Sequence, residues 1–203
     1  LALASFAGLG IVGVKALKRY HGATKVTVQS IKMPVTPVGL LATVSDDNEL
    51  TSVTTFVLKA GTQLGGSIVS LPVSTDTTGG VGDVRIPLTE AYSTGGTDAL
   101  VQAVESTLLV SFDVTVVADA TQTEALLQQV SPLTAQLPDD VRGTSSGRTV
   151  TLFKAGETTL TAKEAAQVLT ASAPDVRQAA RRGGIDALWA AVVAQVGPGR
   201  TQA

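Results

Sequence analysis

Along the chain, apolar and polar positions alternate in two different periods, and the change of period marks the elements. Lys25–Met33 (KVTVQSIKM) alternates and is rich in β-branched residues, so it predicts a strand. Pro34 and Pro37 punctuate it. Val38–Val44 (VGLLATV) is a nearly continuous apolar run, the pattern of a buried strand, and the acidic turn Ser45–Glu49 follows. Thr51–Lys59 predicts another strand, Ala60–Gly66 a turn, and Ser67–Val73 a strand ended by Pro72, which lacks the N–H of a central ladder. The period then lengthens. In Gly95–Leu109 the residues Leu100, Val101, Val104 and Leu108 form one stripe of a helix, with Asp98 suited to its first turn.

Phe112–Ala118 predicts a strand. Thr121-Gln-Thr-Glu124 reads as a capping box opening a short helix from Ala125 to Val130. A loop containing Pro138 and Gly143–Gly147 leads to the strand Arg148–Phe153. A second capping box, Thr161-Ala-Lys-Glu164, starts a helix through Leu169. After Pro174 a last helix runs from Asp175 to about Val196, interrupted at Gly183-Gly184 and stopped by Gly197, Pro198 and Gly199. Strands alternating with helices, without a repeat or a second core, predict a three-layer α/β/α sandwich with a mixed central sheet.

Composition narrows the chemistry. The 203 residues are enough for one substantial core. A net charge of −2 and 3% aromatics disfavour a nucleic-acid surface, which needs a basic excess or stacking platforms. Without cysteine there is no disulfide or thiolate metal site, and the lone His21, in a basic flank, makes neither a histidine zinc site nor a triad. Leu1–Val14 is uncharged and rich in small residues (Ala4, Ala7, Gly8, Gly10, Gly13). It predicts the C-terminal part of a truncated transmembrane helix within residues 1–20, with a signal-peptide apolar region or a buried helix as the alternatives, followed by a linker and first strand over 21–37. Lys15, Lys18 and Arg19 follow this run, and by the positive-inside rule they pull the next domain toward the cytoplasm. Thr75–Val84 holds Gly79, Gly80 and Gly82 but neither a Walker Lys nor a following helix, so these glycines serve a turn.

The order of elements resembles the LytR–CpsA–Psr (LCP) family. The block Ala91-Tyr92-x-x-Gly95-Gly96, then Val104-Glu105, then Asp113 and Asp119 around a strand, falls in that family's order. Past Phe153, KAGETTLTAKEAAQVLT and DVRQAARRGGIDALWAAV are similar to its last two helices. The resemblance covers about residues 38–196, so 38–197 is expected to be an LCP-like domain with 198–203 as a tail. It implies a membrane-anchored, single-pass protein with its domain outside the cell. It also implies transfer of glycopolymers from a polyprenyl-pyrophosphate carrier to the cell wall with Mg²⁺. In such a site arginines neutralise the pyrophosphate and carboxylates hold the metal.

This chain departs from that pattern where the charges should be. The family's first-motif Arg and Asp fall on Leu50 and Ser52, its Arg-Asp after the proline on Val73 and Ser74, and its Lys-Ile-Asn on Pro87-Leu88-Thr89. Valine leaves no charge for a phosphate oxygen, and serine is at best a weak neutral metal ligand. Losing such electrostatic groups costs about 10²–10³ in rate each. The expectation is therefore a non-catalytic LCP-like extracytoplasmic domain, a pseudoenzyme without cofactor, that binds a partner envelope protein or an envelope lipid or glycan. Two alternatives stand beside it. One is a transferase whose site is rebuilt from Arg85, Arg177 and Arg181, with Asp76 and Asp83 as weak Mg²⁺ candidates; Arg182 joins these arginines as a candidate anion ligand, and Arg177, Arg181 and Arg182 read equally as a solvated basic stripe. In the transferase reading Arg177 and Arg181, at i and i+4, share a face. The other is a structural subunit of a membrane assembly. Asp46, Asp47, Glu49, Asp139 and Asp140 read as solvated turn residues. The Ala-, Val-, Thr- and Gly-rich, Lys-poor composition points to a GC-rich genome such as an actinobacterium's.

Overall fold

The computed structural model describes residues 36–59, 65–77 and 85–197. The apolar run of residues 1–14, the predicted strand 25–33, His21, Asp83 and the tail 198–203 lie outside the described residues.

The centre of the fold is a mixed four-stranded sheet in the order β3-β2-β1-β6. Strand β1 (Val38–Val44) pairs antiparallel with β2 (Leu50–Leu58) and parallel with β6 (Val114–Ala118), and β2 pairs antiparallel with β3 (Gly66–Leu71). Between β3 and β6 come a short ladder, β4 (Asp76–Thr77) with β5 (Ile86–Pro87), and helix α1 (Leu88–Leu108). Because β1 and β6 are parallel and β2 reverses, the end of β1, the start of β2, the end of β3 and the end of β6 all lie at one edge of the sheet. Crevices outside the carboxyl ends of strands are where open α/β sheets bind ligands.

Alternation along the strands sends side chains to two apolar layers. Leu40, Ala42, Val44, Leu50, Val53 and Val73 pack with Leu88, Ala91, Leu100, Ala103 and Val104 of α1. Leu41, Phe56 and Ile68 pack on the opposite side. There they meet Leu169 of α3 (Ala162–Thr170) and Ile185, Leu188 and Trp189 of α4 (Gln178–Val196). The sheet is thus covered on both faces, and the three layers expected from the sequence are present. Among the described residues no helix is long and apolar enough to cross a membrane.

Several boundaries differ from the sequence reading, each for a local reason. Helix α1 begins at Leu88 instead of near Gly95. It has two segments joined at Gly96, whose φ of 65° suits glycine. Asp98 accordingly sits just past the kink. Helix α2 (Ala120–Leu127) is opened by Asp119 and not by Thr121. The Asp119 carboxylate accepts from the Gln122 N–H at 2.8 Å, and the Gln122 side chain accepts from the Asp119 N–H at 3.1 Å. A one-turn 3₁₀ segment (Gln128–Val130) follows. The expected loop after it holds two strands, β7 (Leu133–Leu137) and β8 (Val141–Ser145). β7 pairs with β10 (Gly156–Leu160), and β8 with β9 (Arg148–Phe153). Gly183-Gly184 does not interrupt α4. A Cβ on Gly183 would stand 2.8 Å from the Pro138 ring, so glycine lets the helix lie close against the turn after β7.

Candidate functional site

The site is built on a β-bulge. Thr43 pairs with Ser52 and Val44 with Leu50, which leaves Thr51 as the extra residue at the start of β2. The bulge turns both Thr51 and Ser52 toward Thr43. The Thr43 hydroxyl lies 2.8 Å from that of Thr51 and 2.7 Å from that of Ser52, and it donates to the Leu169 carbonyl at 3.0 Å. Thr51 donates to the Thr43 carbonyl at 2.9 Å. With Ser52 donating to Thr43, each hydroxyl proton has an acceptor. All three residues are at most 2% exposed. Leu169 is in the last turn of α3, where a carbonyl has no partner within the helix, so Thr43 satisfies a group that would otherwise be buried bare.

Arg181 closes this network from α4. Its guanidinium donates to the Thr51 carbonyl at 2.7 Å. Burial lowers its pKa from the ordinary arginine value, and the Glu49 carboxylate on the turn opposes that shift. Arginine titrates so far above neutrality that it stays charged. Beside it is a cavity of about 20 Å³, lined by Asp140, Arg142, Ala171, Ala180 and Gly184 among others, room for one water. Next to it a cleft of about 370 Å³ is lined by Asp139, Asp140 and Asp175 against Arg142 and Arg177. Asp140 accepts from the Ala155 N–H, and Asp175 accepts from the Thr149 hydroxyl and pairs with Arg142 at 3.8 Å. These acids therefore hold the β8–β9 hairpin in place, and their charge opposes an anion at Arg177.

The four positions at which the resemblance expects family charges are placed as follows. Leu50 and Val73 are buried in the α1-side core, at 5% and 3% exposure. Ser52 is in the hydroxyl network, and Ser74 is exposed. Of the candidate anion ligands, Arg177 is not on α4 but is its N-cap, exposed, so it does not share a helical face with Arg181. Arg182 is exposed and pairs with Asp186 at 3.4 Å. Asp76, on β4, and Arg85, just before β5, are exposed and line neither of the two cavities. Arg177 and Arg181 thus open onto adjoining cavities, while Asp76 and Arg85 stand apart. Asp46, Asp47 and Glu49 are exposed on the turn after β1. Among the described residues no three carboxylate or imidazole groups are disposed to hold a metal. At Ser52, where the resemblance expects a metal-ligating Asp, the described residues offer only a neutral hydroxyl already engaged with Thr43. Sequence reasoning missed Thr43 and Thr51. Their apolar-run and strand context reads only as sheet, and the bulge that joins them is invisible without pairing.

Searches against protein-family models and curated proteins give no match. Solved structures do match. B. subtilis TagV has a TM-score of 0.62 at 20% identity, covering 81% of this chain and 66% of TagV. B. subtilis TagT has 0.57 at 18%, covering 83% and 69%. The LytR-CPS2A-psr family protein YwtF (TagT) with bound octaprenyl pyrophosphate lipid has 0.56 at 18%, covering 85% and 71%. The chain thus spans about two thirds of the length of these proteins and shares their fold.

Proposed function

We propose that this is a non-catalytic LCP-like module of a cell-envelope membrane protein, facing outside the cell, which binds an envelope lipid or glycan or a partner protein. The observation that carries the reading is the fate of the polar groups at the sheet's carboxyl edge. Where phosphoryl transfer needs fixed cations and a metal to meet developing negative charge, this chain has Leu50 and Val73 in the core. Its hydroxyls are satisfied by one another and by Leu169. The partly buried cation Arg181 faces a space for one water and donates to a backbone carbonyl.

The bound lipid in TagT supports a prenyl-linked anion as one ligand class, with Arg181 and Arg177 as the nearest cations. The same two arginines on adjoining cavities favour, as a second reading, a transferase with a rebuilt site. Calorimetric titration of the full chain with a polyprenyl pyrophosphate, with Mg²⁺ and then with chelator, tests the first reading. Affinity independent of Mg²⁺, or no affinity beside a protein partner captured from native membranes, agrees with it. Binding that requires Mg²⁺ would favour the rebuilt site.

A further inference from the structure

The β8–β9 hairpin is joined to the rest of the fold by few contacts. It forms a two-stranded sheet of its own, separate from the central sheet and from β7–β10. At its neck Val141 and Phe153 pack against the core on the α3–α4 side, and the Asp140 carboxylate accepts from the Ala155 N–H at 2.9 Å. Beyond the neck, from Arg142 to Leu152, Gly143 alone is buried, and it is Leu152 of its own hairpin that packs on it. There three polar contacts hold the hairpin, and all three land on the loop between α3 and α4. The Thr144 hydroxyl donates to the Ser172 carbonyl at 2.9 Å, the Thr149 hydroxyl donates to the Asp175 carboxylate at 2.8 Å, and Arg142 stands 3.8 Å from that same carboxylate. These groups are exposed, so each contact is weak. A segment with little buried apolar surface and exposed hydrogen bonds opens at low cost. The neck also has the features of a hinge. The ladder register slips between Val141 and Arg142, and Gly156, where the chain leaves for β10, holds a φ of 118°.

What the hairpin covers gives this looseness a consequence. Arg142 closes one side of the cavity of about 20 Å³ beside Arg181, whose other walls include Val168 and Ala171 on the α3 side and Ala180 and Gly184 of α4. On the hairpin's other side Gly143, Thr144 and Leu152 face a cleft of about 530 Å³ that reaches the Ser45–Glu49 turn. The hairpin is thus a partition between the Arg181 cavity and that cleft. We propose that the hairpin beyond its neck is a flap over the Arg181 cavity, with Asp175 as its latch. Closed, the cavity has room for one water, so Arg181 meets a phosphate-sized anion only when the flap is open. The device goes beyond the ligand reading above, since it rests on the hairpin's attachments and holds whichever envelope ligand the module takes.

The absence of cysteine makes the test direct. In the full chain carrying Val168→Cys, on a cavity wall only 5% exposed, a water-soluble maleimide reaches the thiol when the flap opens. Ala165→Cys, fully buried on the same helix and not lining the cavity, reports unfolding instead. Asp175→Ala removes two of the three contacts and should speed labelling of Val168→Cys about tenfold, leaving Ala165→Cys unchanged. Thr149→Val, at an exposed position, removes one contact and should speed it less, about threefold. Should Val168→Cys fail to fold, Ala171→Cys on the same cavity takes its place as reporter. A cavity thiol whose labelling is unmoved by Asp175→Ala would overturn the proposal. So would equal acceleration at Ala165→Cys, which would mean that Asp175 supports the whole fold and not a flap.

Discussion

The two faces of the central sheet are built to different rules. On the α1 face, Leu40, Ala42, Val53, Leu100 and Val104 form an apolar layer set by volume and shape, with Thr55 as a lone buried hydroxyl that donates to the Val69 carbonyl. On the face toward α3 and α4, apolar residues share the interface with buried hydroxyls. Thr43, Thr51, Ser52 and Thr54 are each at most 2% exposed, and all four are hydrogen-bonded. Thr54 accepts from the Trp189 indole at 3.0 Å, and Trp189 sets its ring edge-on to Phe56 at 5.1 Å. The difference shows where the sheet keeps its buried polar groups. Polarity is concentrated where β1 and β2 meet α3 and α4, yet it is turned inward on itself, leaving no charged group on the sheet aimed at a ligand.

The largest expected effect breaks the apolar face. Leu100→Ala, at a fully buried position, should destabilise by about 3 kcal/mol through lost transfer energy and the cavity left behind, measured by denaturant unfolding. Thr43→Val, on the other face, keeps the volume but strips the shared hydroxyl. It leaves the Leu169 carbonyl and the Ser52 hydroxyl unpaired, for about 2 kcal/mol in the same assay. A loss well under 1 kcal/mol would mean that the polar face is as tolerant as an apolar one. Trp189→Phe keeps an aromatic ring against Phe56 and removes one hydrogen bond, so about 1 kcal/mol is expected.

The smallest effect concerns the end of α3 remote from Thr43. Hydrogen bonds from the Thr161 backbone and side chain hold the Glu164 carboxyl below its usual range. Since the folded-state pKa is depressed, this contribution is present above the ordinary glutamate pKa and is lost as pH falls through the lowered value. Glu164→Gln keeps a capping box without a charge, so it should flatten that acid-side loss in a thermal-melt series from neutral to low pH.

What the sequence made legible follows from the range of the forces involved. β1, β2 and the Leu100 stripe are written in local periodicity, and the Thr161–Glu164 cap is a local hydrogen-bond pair, so each was readable in place. β7 has an alternating burial pattern, but it is five residues long between two prolines and pairs with β10 some twenty residues later, which no local window sees. Gly183-Gly184 looks like a break because glycine favours one. Its role depends on Pro138, brought in from another element. The site divides similarly. That Leu50, Ser52, Val73 and Ser74 carry no charge is plain in the sequence. The hydroxyl network around Ser52 was not legible, because it joins a bulge in β2 to a carbonyl 126 residues from Thr43.

The proposal at the centre of this account is that the sheet's carboxyl edge holds polar groups but not the means to move a phosphoryl-linked sugar. The most direct measurement is a transfer assay with the purified full chain, a polyprenyl-pyrophosphate-linked glycan donor, a cell-wall acceptor and Mg²⁺, following product against a chain-free control. No product above the control is predicted. Multiple turnovers that vanish in Arg181→Gln would contradict the account and establish a rebuilt catalytic site.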